Sequence, residues 1–140
     1  MIHGRLLKIL VRAWAAPYTA LGLLLGFVVV LAGGSMHLRQ GTLEFGGGRL
    51  GRLLSRLPPP CCFSAFTLGH VILGTDQGAL AAARAHEQVH VRQYERWGFL
   101  FVPAYLLSSL VQLLLGRRPY LDNRFEREAR DRAAGPRLRD

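Results

Sequence analysis

Two long apolar stretches dominate the hydrophobic pattern of the 140-residue chain. The first runs from Ala13 to Ala32 and the second from Trp97 to Leu115, and neither contains a charged residue. About 20 apolar residues suffice to cross the hydrocarbon core of a bilayer as a helix, so the first stretch predicts a transmembrane anchor. The small residues 32–35 that follow it leave a signal peptide open as an alternative. A buried helix of a soluble protein is the third interpretation.

Shorter segments between the two stretches have the pattern of a small antiparallel sheet. Residues 36–45 predict two short strands around a turn at Gly41, and residues 64–74 predict a further strand. A short basic helix is predicted near residues 49–57, followed by a Pro-rich turn that contains Cys61 and Cys62.

Three helices are predicted in the second half of the chain. Thr75 and Asp76 can cap a helix that starts near Gln77 and continues to Trp97. Gly98 interrupts the pattern, and residues 99–115 predict an apolar helix that is bent or restarted near Pro103. Asp122 or Asn123 can cap a last helix that ends near Ala134. The pattern predicts an α+β fold divided into a membrane anchor (1–35), one compact domain (36–134) and a basic tail (135–140).

The predicted helix after Gln77 carries the sequence His86-Glu87-Gln88-Val89-His90, an HExxH pattern. Positions four apart lie on one face of a helix, so both imidazoles can reach one metal ion. Glu87 adjoins the first of them and can take a proton from a water molecule at that ion without binding it. A charged surface helix will sometimes contain these three residues by chance.

Glu126, on the last predicted helix, is the candidate for a third ligand. It shares a helix face with the small residues Ala129 and Ala133, which would permit close approach to a neighbouring helix. Glu128 is the rival, but it points about 200° away from Glu126. The alternative interpretation is an arginine-rich surface helix with incidental acidic residues.

Together, His86-Glu87-Gln88-Val89-His90 and Glu126-Arg127-Glu128-Ala129 resemble the HExxH…ExxA pattern of gluzincin metallopeptidases. The similarity covers about residues 66–134 and is nearest to the minigluzincins and to the membrane CAAX-type and heat-shock-type metalloproteases. It implies zinc bound by His86, His90 and Glu126, with Glu87 as the general base of peptide-bond hydrolysis. It also implies that a strand at about Phe66–Leu73 lies beside a peptide or protein substrate.

The chain departs from that family pattern at one position. Many gluzincins have an aspartate four residues after the ligand glutamate, where it orients a zinc-binding histidine. Arg130 occupies this position here, and Asp122 and Asn123 are the candidates to replace the aspartate.

A shared metal ion constrains the second apolar stretch. A straight crossing of the bilayer would separate His90 from Glu126 by about 30 Å. The metal interpretation therefore predicts that Trp97–Leu115 is not a simple full span.

The formal charge of +9 and the pI near 11.0 are typical of a protein that binds nucleic acid or an anionic membrane, and an arginine-rich genome composition with no specific ligand is the alternative. Basic residues flank the apolar stretches and no nucleic-acid-binding motif is present, so membrane lipid is favoured over nucleic acid. The adjacent residues Cys61 and Cys62 cannot form a disulfide framework. These patterns predict a membrane location, without specifying the side of the membrane or an oligomeric state.

Several other residues are weaker candidates. His70 on the predicted strand is a candidate for oxyanion stabilisation, with a structural role favoured. Gln93 shares a helix face with His90 and is a candidate to support it. Tyr94, Tyr105 and Tyr120 are candidates to donate to a tetrahedral intermediate, with a packing role favoured for each. The main alternative to a peptidase is a non-enzymatic membrane protein that uses the same fold to bind a partner. A third hypothesis is a basic membrane-surface protein that contacts anionic lipid or nucleic acid.

Overall fold

The structure is a computed structural model that describes residues 2–58 and 63–135, and it has the predicted α+β architecture. The elements in chain order are helix α1 (Ile2–Leu31), strands β1 (Ser35–Arg39) and β2 (Thr42–Gly46), helix α2 (Gly48–Leu54), strands β3 (Ala65–Leu68) and β4 (Val71–Gly74), and helices α3 (Gln77–Trp97), α4 (Phe101–Leu114) and α5 (Arg124–Ala133). A 3-10 turn, Gly98–Leu100, joins α3 to α4. The predicted turn at Cys61 and Cys62 and nearly all of the basic tail lie outside the described residues.

The four strands form one mixed sheet in the order β1-β2-β4-β3. The pairs β1–β2 and β3–β4 are antiparallel, but β2 and β4 run parallel. The prediction of a purely antiparallel sheet was wrong at this central pair. After β2 the chain crosses through α2 to the far edge, so β4 returns alongside β2 in the same direction, as a long crossover connection permits.

The strand predicted across Phe66–Leu73 is divided in two by a tight turn at Gly69 and His70. Gly69 has a φ of +61°, and a Cβ atom there would lie 2.2 Å from the Thr19 hydroxyl oxygen. Glycine tolerates both the positive φ and the close approach of Thr19, because it lacks a Cβ atom. As a consequence β3 is an edge strand, whereas β4 lies between β2 and β3 inside the sheet.

Helix α1 lies against one face of the sheet. Its Gly22 and Gly26 allow close contact, since a Cβ atom on them would lie 2.7 Å from Val71 Cβ and 2.6 Å from the Phe45 ring, respectively. Val29 of α1 completes this cluster. The helix extends further towards the N-terminus than the apolar stretch predicts, because the preceding residues also include many good helix formers.

Helix α3 covers the opposite face of the sheet, where Ile72 packs with Leu80 and Val91. Beyond the sheet, a second cluster joins α1, α3, α4 and α5. Its buried members are Ala15, Tyr94, Phe101 and Phe125. This cluster fixes α5 beside α3, which determines the position of the candidate site.

Two helical segments, Leu6–Leu31 and Gln77–Leu114, are long and apolar enough to cross a membrane. Only 22% and 11% of their most apolar windows are buried, whereas the core helix of a soluble protein would be mostly buried. The outward faces of α1 and α4 therefore present large apolar side chains. On α4 these are Leu106, Leu107, Leu110, Leu113 and Leu114.

Candidate metal centre

His86, His90 and Glu126 meet at one point between α3 and α5. The Nε2 atoms of the two histidines are 3.0 Å apart. His86 Nε2 lies 3.1 Å from Glu126 Oε2, and His90 Nε2 lies 3.3 Å from Glu126 Oε1. One potential ligand atom from each residue lies within 4.8 Å of the others, so the three residues could hold a metal ion.

Well-defined helix caps position these side chains. Asp76 caps α3 as predicted, its carboxylate accepting a hydrogen bond from Ala79 N at 2.8 Å. Asn123 caps α5 by accepting from Phe125 N at 2.9 Å. The Asn123 amide also donates to the Tyr105 carbonyl at 3.0 Å and to Ser109 Oγ at 2.7 Å, which ties the start of α5 to α4.

The geometry of the cluster fits a small cation. Glu126 is 3% exposed, and within the described residues its Oε2 atom has no hydrogen-bond partner of acceptable geometry although His86 is near. A buried carboxylate oxygen left in this state is costly unless a cation satisfies it. Tetrahedral ligands at ~2.0–2.1 Å from a zinc ion lie ~3.3 Å from one another, close to the separations observed here.

The carboxylate of Glu126 is held in its charged form. Burial on its own would raise its pKa. The close approach of the His86 and His90 rings and a hydrogen bond from Tyr105 outweigh that effect and keep the pKa of Glu126 well below its usual range. A charged carboxylate beside two imidazole nitrogens is a donor set suited to a divalent metal.

Gln93 orients His90. Its side chain is 1% exposed, and its Nε2 atom donates to the Phe125 carbonyl at 3.1 Å and to Glu128 Oε2 at 3.0 Å. Because both of these partners are acceptors, Gln93 Oε1 must be the atom that accepts a hydrogen bond from His90 Nδ1, at 2.8 Å. That bond places the ring proton on Nδ1 and leaves the Nε2 lone pair directed at the cluster.

Substituting Gln93→Ala is therefore expected to weaken metal binding by about 10- to 100-fold, the usual effect of losing a group that orients a ligand. Competition with a chelator of known affinity would measure the change. Gln77→Ala is the matched control, because Gln77 lies at the other end of α3 and bonds only to Ser35 among the described residues. Equal affinities for the two variants would contradict this role of Gln93.

Glu87 stays outside the cluster and lies beside the edge strand. Thr67 of β3 donates to Glu87 Oε2 at 2.7 Å, and both side chains are buried. Both residues line a cavity of about 950 Å³ that also contains His86, His90 and Glu126. The carboxylate is thus fixed at the wall of the cavity rather than within the group of metal ligands.

Two of the tyrosines for which a packing role was favoured, Tyr105 and Tyr120, lie next to Glu126. Tyr105 of α4 donates to Glu126 Oε1 at 2.8 Å. Burial and the Glu126 carboxylate raise the pKa of Tyr120 to about 12, so its phenol remains a proton donor at neutral pH. Tyr94, in contrast, packs in the buried cluster as predicted, in an edge-on contact with Phe101.

The remaining candidates from the sequence lie elsewhere. His70 contacts Thr19 and Glu95, where it has a structural role.

Glu128 pairs with Arg96 and Arg132 and does not join the cluster. Asp122 pairs with Arg118 and Asn123 caps α5, so neither of them orients a histidine of the cluster. Gln93 orients His90 instead.

The return of the chain after α4 brings Glu126 to His90. Arg124 N bonds to Ser108 Oγ at 3.0 Å, so the start of α5 contacts the middle of α4. The chain therefore turns back along α4, and His90 and Glu126 lie together although the stretch between them is long enough to cross a membrane. This is the arrangement that a shared metal site requires.

Comparisons with protein-family models, with curated proteins and with solved structures found no match to this chain.

Thr67 was not predicted as part of this region, and for Tyr105, as for Tyr120, a packing role was favoured. Neither Thr67 nor Tyr105 belongs to a recognisable motif. Each reaches the site only through tertiary packing, Thr67 from the edge of the sheet and Tyr105 from an apolar helix.

Proposed function

We propose that the protein is a membrane-associated zinc metallopeptidase that hydrolyses peptide bonds. The observation that carries this proposal is the convergence of His86, His90 and Glu126 with Glu87 held in the same cavity. Two imidazoles and one carboxylate form a ligand set typical of catalytic zinc. Structural zinc sites, in contrast, are mostly closed by four protein ligands.

His86 Nε2, His90 Nε2 and the Glu126 carboxylate would hold the zinc ion. When bound, zinc would polarise the carbonyl of the scissile bond and lower the pKa of water at the site. The residues of the chain supply the rest: Gln93 keeps the His90 lone pair directed at the ion, and Tyr105 fixes one oxygen of Glu126.

Glu87 would act as the general base and then as the general acid. Its carboxylate takes a proton from the attacking water and passes it to the leaving amine, so that one water yields one acid and one amine. The hydrogen bond from Thr67 holds the Glu87 carboxylate in one orientation and uses only one of its oxygen atoms. The other oxygen is left to accept the proton.

The edge strand β3 would align the substrate. Residues 63–67 form one wall of the cavity, and β3 pairs only with β4 within the described sheet. An extended peptide can add to such an edge through main-chain hydrogen bonds. The edge lies beside Glu87, so a peptide bound there would present its backbone to the site.

Membrane lipid would cover the outward faces of α1 and α4. Many leucines are exposed on the outward faces of both helices, and contiguous exposed apolar surface marks a contact with a membrane or a partner. Tyr105 belongs to the same α4 helix and contacts Glu126, so lipid and the metal centre would lie on different parts of one element.

The proposal is tested with the full chain in lipid nanodiscs, loaded with zinc and mixed with a library of apolar peptides in water enriched in oxygen-18. Each cleavage is expected to place one oxygen-18 atom in the new carboxylate, to stop with a chelator and to resume with zinc. Bound zinc with no cleavage of any peptide would overturn the peptidase assignment and favour a partner-binding role.

A further inference from the structure

Among residues 2–58 and 63–135, Arg130 is the one permanently cationic side chain in the wall of the cavity that contains His86, His90 and Glu126. The other ionisable groups at that wall belong to the metal cluster, to Glu87 or to tyrosines. Most of the remaining wall is apolar, including Phe63, Phe66, Val102 and Leu121. A guanidinium group in such surroundings defines a specific polar position within an otherwise apolar cavity.

The position of Arg130 is fixed relative to the metal cluster. It follows Glu126 by one helical turn on α5, a spacing at which Cβ atoms lie about 5–6 Å apart. Its Nη2 atom donates a hydrogen bond to the Leu121 carbonyl, which anchors one side of the guanidinium at the cavity wall.

Arg130 has no carboxylate partner among residues 2–58 and 63–135. Four other arginines do have one: Arg84 pairs with Glu44, Arg96 and Arg132 with Glu128, and Arg118 with Asp122. Anchoring through Nη2 leaves the other N–H groups of Arg130 available. Guanidinium groups bind carboxylates through two parallel hydrogen bonds, and both charge and geometry favour that partner.

We propose that Arg130 is a subsite for a carboxylate carried by the substrate, one or two residues from the scissile bond. The carboxylate belongs either to the free C-terminus of an apolar peptide or to an aspartate or glutamate side chain. One helical turn between Arg130 and Glu126 is comparable with the length of one or two extended residues, about 3.3–3.6 Å each. The inference rests on the proposed function, because it takes the cavity as the substrate site.

Binding is measured with the zinc-loaded Glu87→Gln full chain in nanodiscs, so that no turnover is needed. The probes are three dansyl-labelled pentapeptides: Ala-Leu-Phe-Leu-Leu as the free acid, the same sequence as the C-terminal amide, and an amide with Glu in the fourth position. The free acid or the Glu peptide is expected to bind about 10- to 100-fold more tightly than the neutral amide. Which of the two binds more tightly identifies the source of the carboxylate.

The preference should disappear in Arg130→Gln and shrink in Arg130→Lys, which keeps the charge but loses the two-pronged geometry. Arg127→Gln is the matched control, since Arg127 is exposed on the same helix and does not line the cavity. Unchanged zinc content and thermal unfolding would show that the variants are folded. If Arg130→Gln does not fold, the wild-type comparison of acid with amide and the Arg130→Lys result decide the question.

Equal binding of all three peptides, no binding of any, or a preference that survives Arg130→Gln would overturn the inference. These outcomes can be distinguished from outcomes that would reject the proposed peptidase function. Hydrolysis without a carboxylate preference would reject the role of Arg130 alone. An Arg130-dependent preference without hydrolysis by the wild type would reject the peptidase and retain the binding site.

Discussion

Replacing Glu87 by Gln is expected to reduce the rate of peptide hydrolysis by about 10²- to 10⁴-fold, the usual contribution of a positioned general base. The amide has nearly the shape of the carboxylate and can still accept the hydrogen bond from Thr67, but it cannot take a proton from water. Zinc content should be unchanged, because Glu87 lies outside the group of His86, His90 and Glu126. The measurement is kcat on a cleaved peptide beside metal analysis of the same sample.

Glu95→Gln is the matched control for that experiment. Glu95 lies on the same helix but faces His70, away from the cavity of the metal cluster, so its loss should leave turnover close to that of the wild type. Turnover retained by Glu87→Gln would contradict the assignment of the base. Loss of zinc from Glu87→Gln would show instead that Glu87 is a ligand.

Replacing Glu126 by Ala is expected to weaken zinc binding by more than Gln93→Ala does. The loss of Gln93, which orients a ligand without binding the metal, is expected to cost ~10- to 100-fold in affinity. Glu126→Ala removes the only carboxylate in the cluster and leaves two imidazoles from one helix, with no contribution from α5. Competition with chelators, carried out on the full chain, would give the affinity.

Two acidic residues on the same helix make that test specific. Glu128→Ala should retain much more affinity, because Glu128 contacts Gln93 and arginines rather than the histidine Nε2 atoms. Asp131→Ala should have no effect, since Asp131 is exposed on α5 and does not line the cavity. If zinc affinity fell with Glu128→Ala but not with Glu126→Ala, the ligand assignment would be wrong.

Much of the fold could be predicted from local patterns. The caps at Asp76 and Asn123, the interruption at Gly98 and the β1–β2 turn at Gly41 each depend on residues close in sequence, whose preferences are intrinsic. The restart of the second apolar helix at Phe101 places Pro103 in the first turn, where its missing N–H has no helical partner to lose.

Long-range features could not be predicted in the same way. The parallel pairing of β2 with β4 depends on where a crossover through α2 returns, and no local pattern records this. The division of the predicted strand at Gly69 depends on close contact with Thr19, 50 positions earlier in the chain. A run of apolar residues therefore predicted one strand where tertiary packing requires a turn.

The candidate site was predictable to the extent that it depends on helical periodicity. His86, His90 and Glu87 follow from spacing on one helix, and Glu126 follows from its place beside small residues on another. The residues that hold Glu87 and Glu126 in place were harder to predict, because Thr67 and Tyr105 are brought to the site only by tertiary packing. Gln93 is intermediate: its helix face was predictable, but its partners on α5 were not.

The coordination of zinc in the intact protein tests the central claim most directly. X-ray absorption at the zinc edge of the full chain in nanodiscs should show one zinc per chain, with two imidazole nitrogens and a carboxylate oxygen at ~2.0–2.1 Å. Sulfur in the coordination shell, which would indicate Cys61 or Cys62, or a zinc-free protein under conditions of zinc excess, would contradict the account.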